Sequence, residues 1–222
     1  CINRYGLKEV ESWYFEVWNE PELLYAYWIG TREEYFEFYK ETALAVKSVS
    51  KNLRLGGPSI THQALKDGPW LEDFITYCLD NGAPLDFITL HIYPESFAMD
   101  GIDETKMNEI QNLIRDNGKD MNPNLMTQMK SQLKNIYYDK DHTHDTINDA
   151  MKRINALSPE KLELHITEWS STAFGRNLIS DTCYTAVFIV KNVLQSINTV
   201  DSLGYWTFTD IMEEVKAGIS PF

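Results

Sequence analysis

The chain has 222 residues, of which 43% are hydrophobic and 13% aromatic, so it is long enough to bury one sizeable core. Acidic residues outnumber basic ones by 33 to 20, which gives a formal net charge of −13. This balance argues against nucleic acid and anionic membranes as partners, because both attract basic proteins.

Five short apolar runs predict β-strands, and helical patterns lie between them. Several of the runs are apolar without alternation, which is typical of parallel strands that are covered on both faces. The predicted strands are Trp13–Trp18, Leu53–Gly57, Phe87–Tyr93, Leu162–Thr167 and Leu203–Phe208. Strands that alternate with helices of this length predict an α/β domain with a parallel sheet and right-handed crossovers.

Three helices have clear sequence signals. Thr31 and Glu34 form a capping box in front of the first helix. A second helix is predicted to start at Pro69 and to stop at Gly82. Asp181 is the predicted cap of a third helix, whose apolar face comprises Cys183, Val187, Val190, Leu194 and Ile197.

One long polar segment, at about 94–143, interrupts this alternation. It is rich in Met and Asn and contains two weak helical patterns, at about 106–117 and 125–138. Excursions of this length usually lie on the loop face of a barrel. We therefore predict a single domain over 1–222 with a loop-face insertion.

Two carboxylates follow predicted strands. Glu20 ends the aromatic run that starts at Trp13, and Pro21 breaks the strand at once. Glu168 ends the fourth strand and is followed by Trp169. Each alone is compatible with a capping turn or an exposed loop residue. Together they predict an active site, because barrel active sites lie at the carboxyl ends of the strands, where two carboxylates can flank a glycosidic bond.

Further candidates follow the middle and the last strands. His91 and Tyr93 share one strand face, and they are candidates to bind a sugar hydroxyl and to hold the oxygen of the nucleophile; a structural histidine is the alternative. Trp206 is a candidate stacking surface for a pyranose ring. The acidic residues beyond it are candidate hydroxyl ligands, although a solvated loop explains two of them equally well. They are Asp210, Glu213 and Glu214.

Cysteine and histidine usage predicts neither a metal site nor an organic cofactor. Cys1, Cys78 and Cys183 form no ligand motif. Cys78 and Cys183 fall on apolar helical faces, which predicts buried thiols. The histidines at 142 and 144 lie beside aspartates but without the spacing of a structural metal site.

The ends of the chain bear on its origin and location. There is no signal peptide and no apolar run long enough to cross a bilayer, so we predict a cytoplasmic location. The chain lacks an initiator Met and opens in what resembles the end of a helix. These features predict a piece of a longer protein.

Several of these motifs together resemble glycoside hydrolase family 39, which contains β-xylosidases and α-L-iduronidases. The resemblance covers nearly the whole chain except about 94–143. The segments that carry it are Trp13–Pro21, Arg54–Pro58, Asp86–Pro94, Ile166–Trp169 and Tyr205–Asp210. It implies a (β/α)8 barrel of the TIM type, here a partial barrel covering about strands 4–8.

The resemblance also implies roles for the strand-end residues. Glu20 is the implied acid/base after strand 4, Glu168 the implied nucleophile after strand 7, and Asn19 the implied ligand of the sugar 2-hydroxyl. The implied chemistry is retaining hydrolysis of a xylo-oligosaccharide or a similar β-glycoside. Glu22 departs from the family pattern, where Asn is expected, and the first three strands are absent.

Two alternatives stay open. An α-L-iduronidase would need a basic group for its charged substrate, and the strand-end motifs contain none. The chain is also compatible with a non-catalytic carbohydrate-binding or structural module.

Five strands of eight cannot close a barrel. The unpaired edges therefore predict weak activity of the isolated chain and self-association as a homo-oligomer.

Overall fold

The computed structural model describes residues 1–23, 27–97, 136–158, 160–173 and 178–207, and its centre is a curled sheet of five parallel strands. The strands in chain order are β1 (Tyr14–Glu16), β2 (Arg54–Thr61), β3 (Phe87–Ile92), β4 (Glu95–Phe97), β5 (Ile136–Tyr138), β6 (Glu163–Trp169) and β7 (Ser202–Tyr205). The sheet has the order β1-β2-β3-β6-β7, so neighbours in space follow the order of the chain. This is the α/β order that the sequence predicts.

Helices connect these strands. They are α1 (Ile2–Tyr5), α2 (Leu7–Val10), α3 (Arg32–Val49), α4 (His62–Asp67), α5 (Trp70–Asn81), α6 (His142–Leu157) and α7 (Cys183–Ser196), with a 3₁₀ turn at Leu178–Asp181. The predicted capping box at the start of α3 is confirmed, with reciprocal bonds between Thr31 and Glu34. Gly82 ends α5 in the left-handed conformation, as predicted. No helix in the described ranges is long and apolar enough to cross a membrane.

The hydrophobic core lies between the outer face of the sheet and the helices α3, α5 and α6. The largest buried side chains from these helices include Tyr35, Tyr39 and Phe74. The two tyrosine hydroxyls are satisfied by backbone carbonyls: Tyr35 donates to Val17 O at 3.0 Å, and Tyr39 donates to Pro84 O. The prediction that Cys78 is a buried thiol is confirmed.

The structure corrects the predictions for α7. Its N-cap is Thr182 rather than Asp181. Cys183 is exposed, and so are the four other members of the predicted apolar face, Val187, Val190, Leu194 and Ile197. The face that is buried carries Thr185, Phe188, Asn192 and Ser196. Apolar periodicity identified a face of the helix, but it does not determine which face meets an edge of the sheet.

The insertion lies mostly outside the described residues. Its two ends are joined by an antiparallel pair of strands, β4 and β5. The helix predicted at 125–138 is therefore wrong at its end, because residues 136–138 form β5. Most of that predicted helix, and all of the one at 106–117, lies outside the described residues. The single-domain assignment stays a prediction.

Candidate active site

Two glutamates from distant parts of the chain meet at the carboxyl end of the sheet. Glu20 follows β1, and its backbone N–H donates to the Ser59 carbonyl at 2.9 Å. Glu168 lies near the end of β6. One carboxylate oxygen of each, together with a ring nitrogen of His91, falls within 4.8 Å of the others. The structure therefore brings together the two carboxylates that the sequence singled out.

His91 lies between these carboxylates. Its Nδ1 is 2.7 Å from Oε1 of Glu20 and 3.5 Å from Oε2 of Glu168. Its Nε2 is 3.1 Å from Oγ of Ser59. Only 1% of the imidazole is exposed, so each ring nitrogen has a protein partner in place of water.

Two irregularities in the sheet explain why these side chains converge. The register between β3 and β6 shifts after Leu90, so that His91 pairs with Glu168 instead of Thr167. The register between β2 and β3 shifts in the same way and skips Ser59. An extra residue in one strand re-aims the side chain that follows it. These two shifts direct Ser59 and Glu168 toward His91 from its two neighbouring strands.

Tyr93 is a hydrogen-bond partner of the Glu168 carboxylate. Its phenolic hydroxyl donates to Oε2 of Glu168 at 2.8 Å. This is the contact that the sequence predicts for a tyrosine holding the oxygen of a nucleophile. The bond restrains the orientation of the Glu168 carboxylate.

Burial and the neighbouring carboxylates shift the pKa values of the site. Burial raises the pKa of Glu168, and the charges of Glu20 and Glu16 add to this, whereas His91 and the Tyr93 hydroxyl oppose it. Burial lowers the pKa of His91, but the bond to Glu20 and the charges of Glu168 and Glu16 outweigh it, so that its pKa is raised. Both Glu168 and His91 therefore hold a proton to higher pH than they would in water.

The backbone around the pair is strained. Within the described ranges, the non-glycine residues with positive φ are Trp18 at 71°, Glu20 at 45° and Ser59 at 59°. Glu20 and Ser59 belong to the cluster itself, and Trp18 lies two residues before Glu20. Each such residue costs on the order of 1–3 kcal/mol, and strain of this kind concentrates at functional sites.

The other predicted site residues have different placements. Asn19 is half-buried beside Glu20. Trp206 follows β7 with 44% of its surface exposed, and its backbone N–H donates to Trp169 O. The three remaining candidates, Asp210, Glu213 and Glu214, lie outside the described residues. The roles assigned to all these residues stay predictions.

Three residues of the site were missed by the sequence analysis. Glu16 accepts a hydrogen bond from the Thr167 hydroxyl at 2.8 Å, one strand position below the carboxylate pair. The pKa of Tyr27 is raised by burial and by the charges of Glu20 and Glu168. Ser59 is the third. Alternation along β1 was the only signal that pointed to Glu16, and nothing in the sequence marked Tyr27 or Ser59.

The same cluster is the one group within the described part of the chain whose atoms are close enough to hold a metal ion. The hydrogen bonds already account for the proximity of these atoms. Nδ1 of His91 is bonded to Glu20, and Oε2 of Glu168 accepts from Tyr93. We therefore interpret the cluster as a hydrogen-bonded carboxylate pair rather than as a metal centre.

A family model and several known proteins match this chain. The family model described as "Glycosyl hydrolases family 39" matches residues 1–136 and 124–222. A beta-xylosidase of Caldicellulosiruptor saccharolyticus is 34% identical over 222 residues, which is 100% of this chain and 38% of that protein. A beta-xylosidase of Geobacillus stearothermophilus is 32% identical, and the match covers 96% of this chain and 37% of that protein.

A solved structure supports the same relationship. The monomeric beta-xylosidase from Caulobacter crescentus CB15 superposes with a TM-score of 0.73 at 27% identity, covering 96% of this chain and 37% of the other. The predicted class, a partial barrel of the TIM type, is confirmed. The chain thus spans well under half the length of the relatives it matches.

Proposed function

Because this chain belongs to glycosyl hydrolase family 39, we propose that the protein carrying it hydrolyses β-glycosides with retention of configuration at the anomeric carbon. The observation that carries the proposal is the separation of the two carboxylates, whose oxygens approach within 4.8 Å. Retaining glycosidases hold this pair roughly 5–5.5 Å apart, whereas inverting enzymes leave about 6.5–9.5 Å for a water. The spacing leaves no room for that water.

The first half of the reaction forms a bond to the protein. A carboxylate oxygen of Glu168 attacks the anomeric carbon, while Glu20 in its acid form gives its proton to the departing glycosidic oxygen. The C–O bond to the leaving group breaks as the C–O bond to Glu168 forms. Tyr93 keeps the nucleophile in place through its bond to Oε2.

The second half regenerates the enzyme. Glu20, now a carboxylate, removes a proton from water, and the resulting hydroxide attacks the anomeric carbon. The bond to Glu168 breaks, the sugar leaves with its original configuration, and Glu20 is again an acid. One residue serves first as acid and then as base because it lies on the leaving-group side throughout.

We propose a neutral pyranoside of the xylose type as the substrate. No Lys or Arg in the described ranges forms an ion pair with Glu20 or Glu168. A substrate with a carboxylate, such as an iduronide, would meet the negative charge of both glutamates without a compensating cation. Trp206 lies exposed at the same edge of the sheet and offers a ring face for stacking.

The test is the stereochemistry of the first product. Proton NMR during hydrolysis of an aryl β-xyloside distinguishes the β-anomer, expected for retention, from the α-anomer. Initial appearance of the α-anomer would contradict the carboxylate assignment. An aryl α-L-iduronide run in parallel tests the alternative substrate, and faster turnover of the iduronide would replace the xyloside proposal. No hydrolysis of any glycoside, with sugar binding retained, would favour the non-catalytic module.

Two further predictions remain proposals. The outer edges of β1 and β7 have no strand partner within the described residues, which supports self-association of the isolated chain through these edges. Light scattering of the 222-residue chain tests it, and a monodisperse monomer would contradict it. The free thiols Cys1, Cys78 and Cys183 favour a cytoplasmic location, which cell fractionation tests.

A further inference from the structure

We infer that Ser59 is a positioning residue for the acid/base: its hydroxyl selects the tautomer of His91 and so leaves Oε2 of Glu20 as the oxygen that carries the transferable proton. The inference rests on the proposed function, because it deepens the role of Glu20. The Ser59 hydroxyl takes no part in either half of the proposed reaction.

The Ser59 hydroxyl has a single acceptor in the described part of the chain. Ser59 has no exposed surface, and its Oγ lies 3.1 Å from Nε2 of His91. A buried hydroxyl that donates to nothing loses its hydrogen bond with water and gains none in return. The hydroxyl hydrogen therefore points to Nε2, which must present its lone pair.

This bond decides the protonation of the opposite ring nitrogen. When Glu20 carries its proton, its charge no longer raises the pKa of His91, and the imidazole is neutral. In a neutral imidazole one nitrogen is a donor and the other an acceptor. With Nε2 as the acceptor, Nδ1 carries the hydrogen and donates to Oε1 of Glu20 at 2.7 Å. A partner on one ring nitrogen sets the tautomer of the other in the same way at metal-bound histidines.

The consequence for Glu20 is an asymmetry between its two oxygens. Oε1 accepts from His91, and a proton on this oxygen would weaken that bond, because a carboxylic hydroxyl oxygen is a poorer acceptor than a carbonyl oxygen. Oε2 receives no hydrogen bond from the described residues, so the acid proton resides on that oxygen. Without the Ser59 hydroxyl, Nδ1 is free to become the acceptor and to draw the Glu20 proton onto Oε1, away from the leaving group.

The backbone of Ser59 makes a separate contribution. Its carbonyl accepts the Glu20 N–H at 2.9 Å, and its own N–H donates to the Thr89 hydroxyl at 3.0 Å. Its φ of 59° is the left-handed region that glycine adopts most readily. Ser59→Gly therefore removes the hydroxyl and preserves the backbone, whereas Ser59→Ala removes the hydroxyl in a residue that tolerates this backbone less well.

The experiment compares substrates that need acid catalysis to different extents. Xylobiose has a poor leaving group that requires protonation, and dinitrophenyl β-xyloside has one that leaves as an anion. We expect Ser59→Gly to lower kcat/KM for xylobiose about tenfold, a fraction of the roughly 10²–10⁴ that general acid catalysis supplies, and to leave the dinitrophenyl substrate nearly unchanged. Ser171→Ala is the matched control, since this buried hydroxyl bonds to Thr185 and not to the cluster.

A spectroscopic readout keeps the inference separate from the proposed function. Two-bond ¹H–¹⁵N spectra of histidine-labelled protein, with His91 assigned through His91→Gln, show which ring nitrogen is protonated. We expect the hydrogen to lie on Nδ1 of His91 in the unsubstituted protein. We expect this preference to be lost in the Ser59→Gly variant. Hydrogen on Nε2 in the parent, or equal losses on both substrates, or no loss, would overturn the inference. If the parent hydrolyses neither substrate the proposed function fails, while the spectra still decide the tautomer.

Discussion

The two ends of the same strands carry similar residue types in opposite electrostatic states. At the carboxyl end, His91 bridges Glu20 and Glu168, and the pKa of Glu168 is raised. At the amino end, His165 bonds to Glu163 at 3.1 Å, and there the pKa of Glu163 is lowered. A histidine beside a glutamate is therefore not by itself a sign of catalysis.

Compensation explains the difference. Burial pushes the pKa of Glu163 upward, but bonds from Tyr14 and His165 and the charge of Arg54 outweigh it. The guanidinium of Arg54 also lies 3.7 Å from the centre of the Tyr14 ring. In this amino-end cluster the hydrogen bonds and the Arg54 cation stabilise the fold. The carboxyl-end cluster has two acids and, among the described residues, no Lys or Arg paired with them. It lies at the end of the strands where barrel enzymes have their active sites.

The largest expected effect separates the two ends of β6. We expect Glu168→Gln to reduce kcat for an aryl β-xyloside by at least ~10⁴-fold, because an amide cannot form the glycosyl bond. The same substitution at the amino end, Glu163→Gln, is expected to keep the turnover of the parent. Equal losses in the two variants would show that β6 tolerates neither change for structural reasons.

The next effect concerns pH. The Tyr93 hydroxyl lowers the pKa of Glu168, so Tyr93→Phe is expected to raise it. The nucleophile must be ionised, and the acidic limb of the kcat/KM profile therefore moves to higher pH. Activity below the limb falls about tenfold for each pH unit by which the limb moves. Tyr77→Phe is the control, because Tyr77 also bonds a glutamate, Glu37, but far from the site. A limb that stays in place would contradict the assignment of Glu168.

Removing the Arg54 cation tests whether the amino-end cluster stabilises the fold. Arg54→Met is expected to lower the free energy of unfolding by about 1 kcal/mol, because Tyr14 and Glu163 lose a charged partner in a partly solvated position. The kcat/KM profile is expected to keep its pH limbs. Urea unfolding measures the first quantity, and a shifted limb in this variant would mean that the two clusters are coupled.

The smallest effect concerns Glu22, a carboxyl near the site that has no task in the mechanism. Burial raises its pKa, and its Oε2 is buried without a partner in the described part of the chain. The folded state therefore holds the Glu22 proton more tightly than the unfolded state. The resulting contribution to the free energy of unfolding is fully present below the unfolded pKa and is lost as pH rises through the folded pKa. Relative to Glu22→Gln, we expect the unsubstituted protein to lose stability as pH rises above the unfolded pKa of about 4.3. Parallel stability curves in urea would contradict it.

The strand order, the start of α3 and the end of α5 were predictable because they depend on local patterns. Apolar runs, a capping box at Thr31 and a stop at Gly82 are short-range signals. The orientation of α7 was not predictable, since it depends on what packs beside the edge strand β7. Its exposed Val187 and buried Asn192 reverse the usual reading of an apolar face.

The candidate site was predictable only in part for a related reason. Glu20, His91, Tyr93 and Glu168 end strands, and parallel strands bring their ends together. Ser59 escaped notice because β2 was predicted to stop at Gly57, whereas it continues to Thr61 through a shift in register. Such shifts and left-handed residues have no periodic signature in a sequence.

The most direct test of the central claim is to identify the residue that becomes bound to sugar. A slow glycosyl donor, a fluorinated β-xyloside with a good leaving group, is incubated with the protein, and peptide mass spectrometry locates the label. Attachment to Glu168, and no attachment in Glu168→Gln, is the result expected for a nucleophile paired with Glu20. A label on any other carboxylate, or full turnover in the absence of a labelled Glu168, would contradict the account.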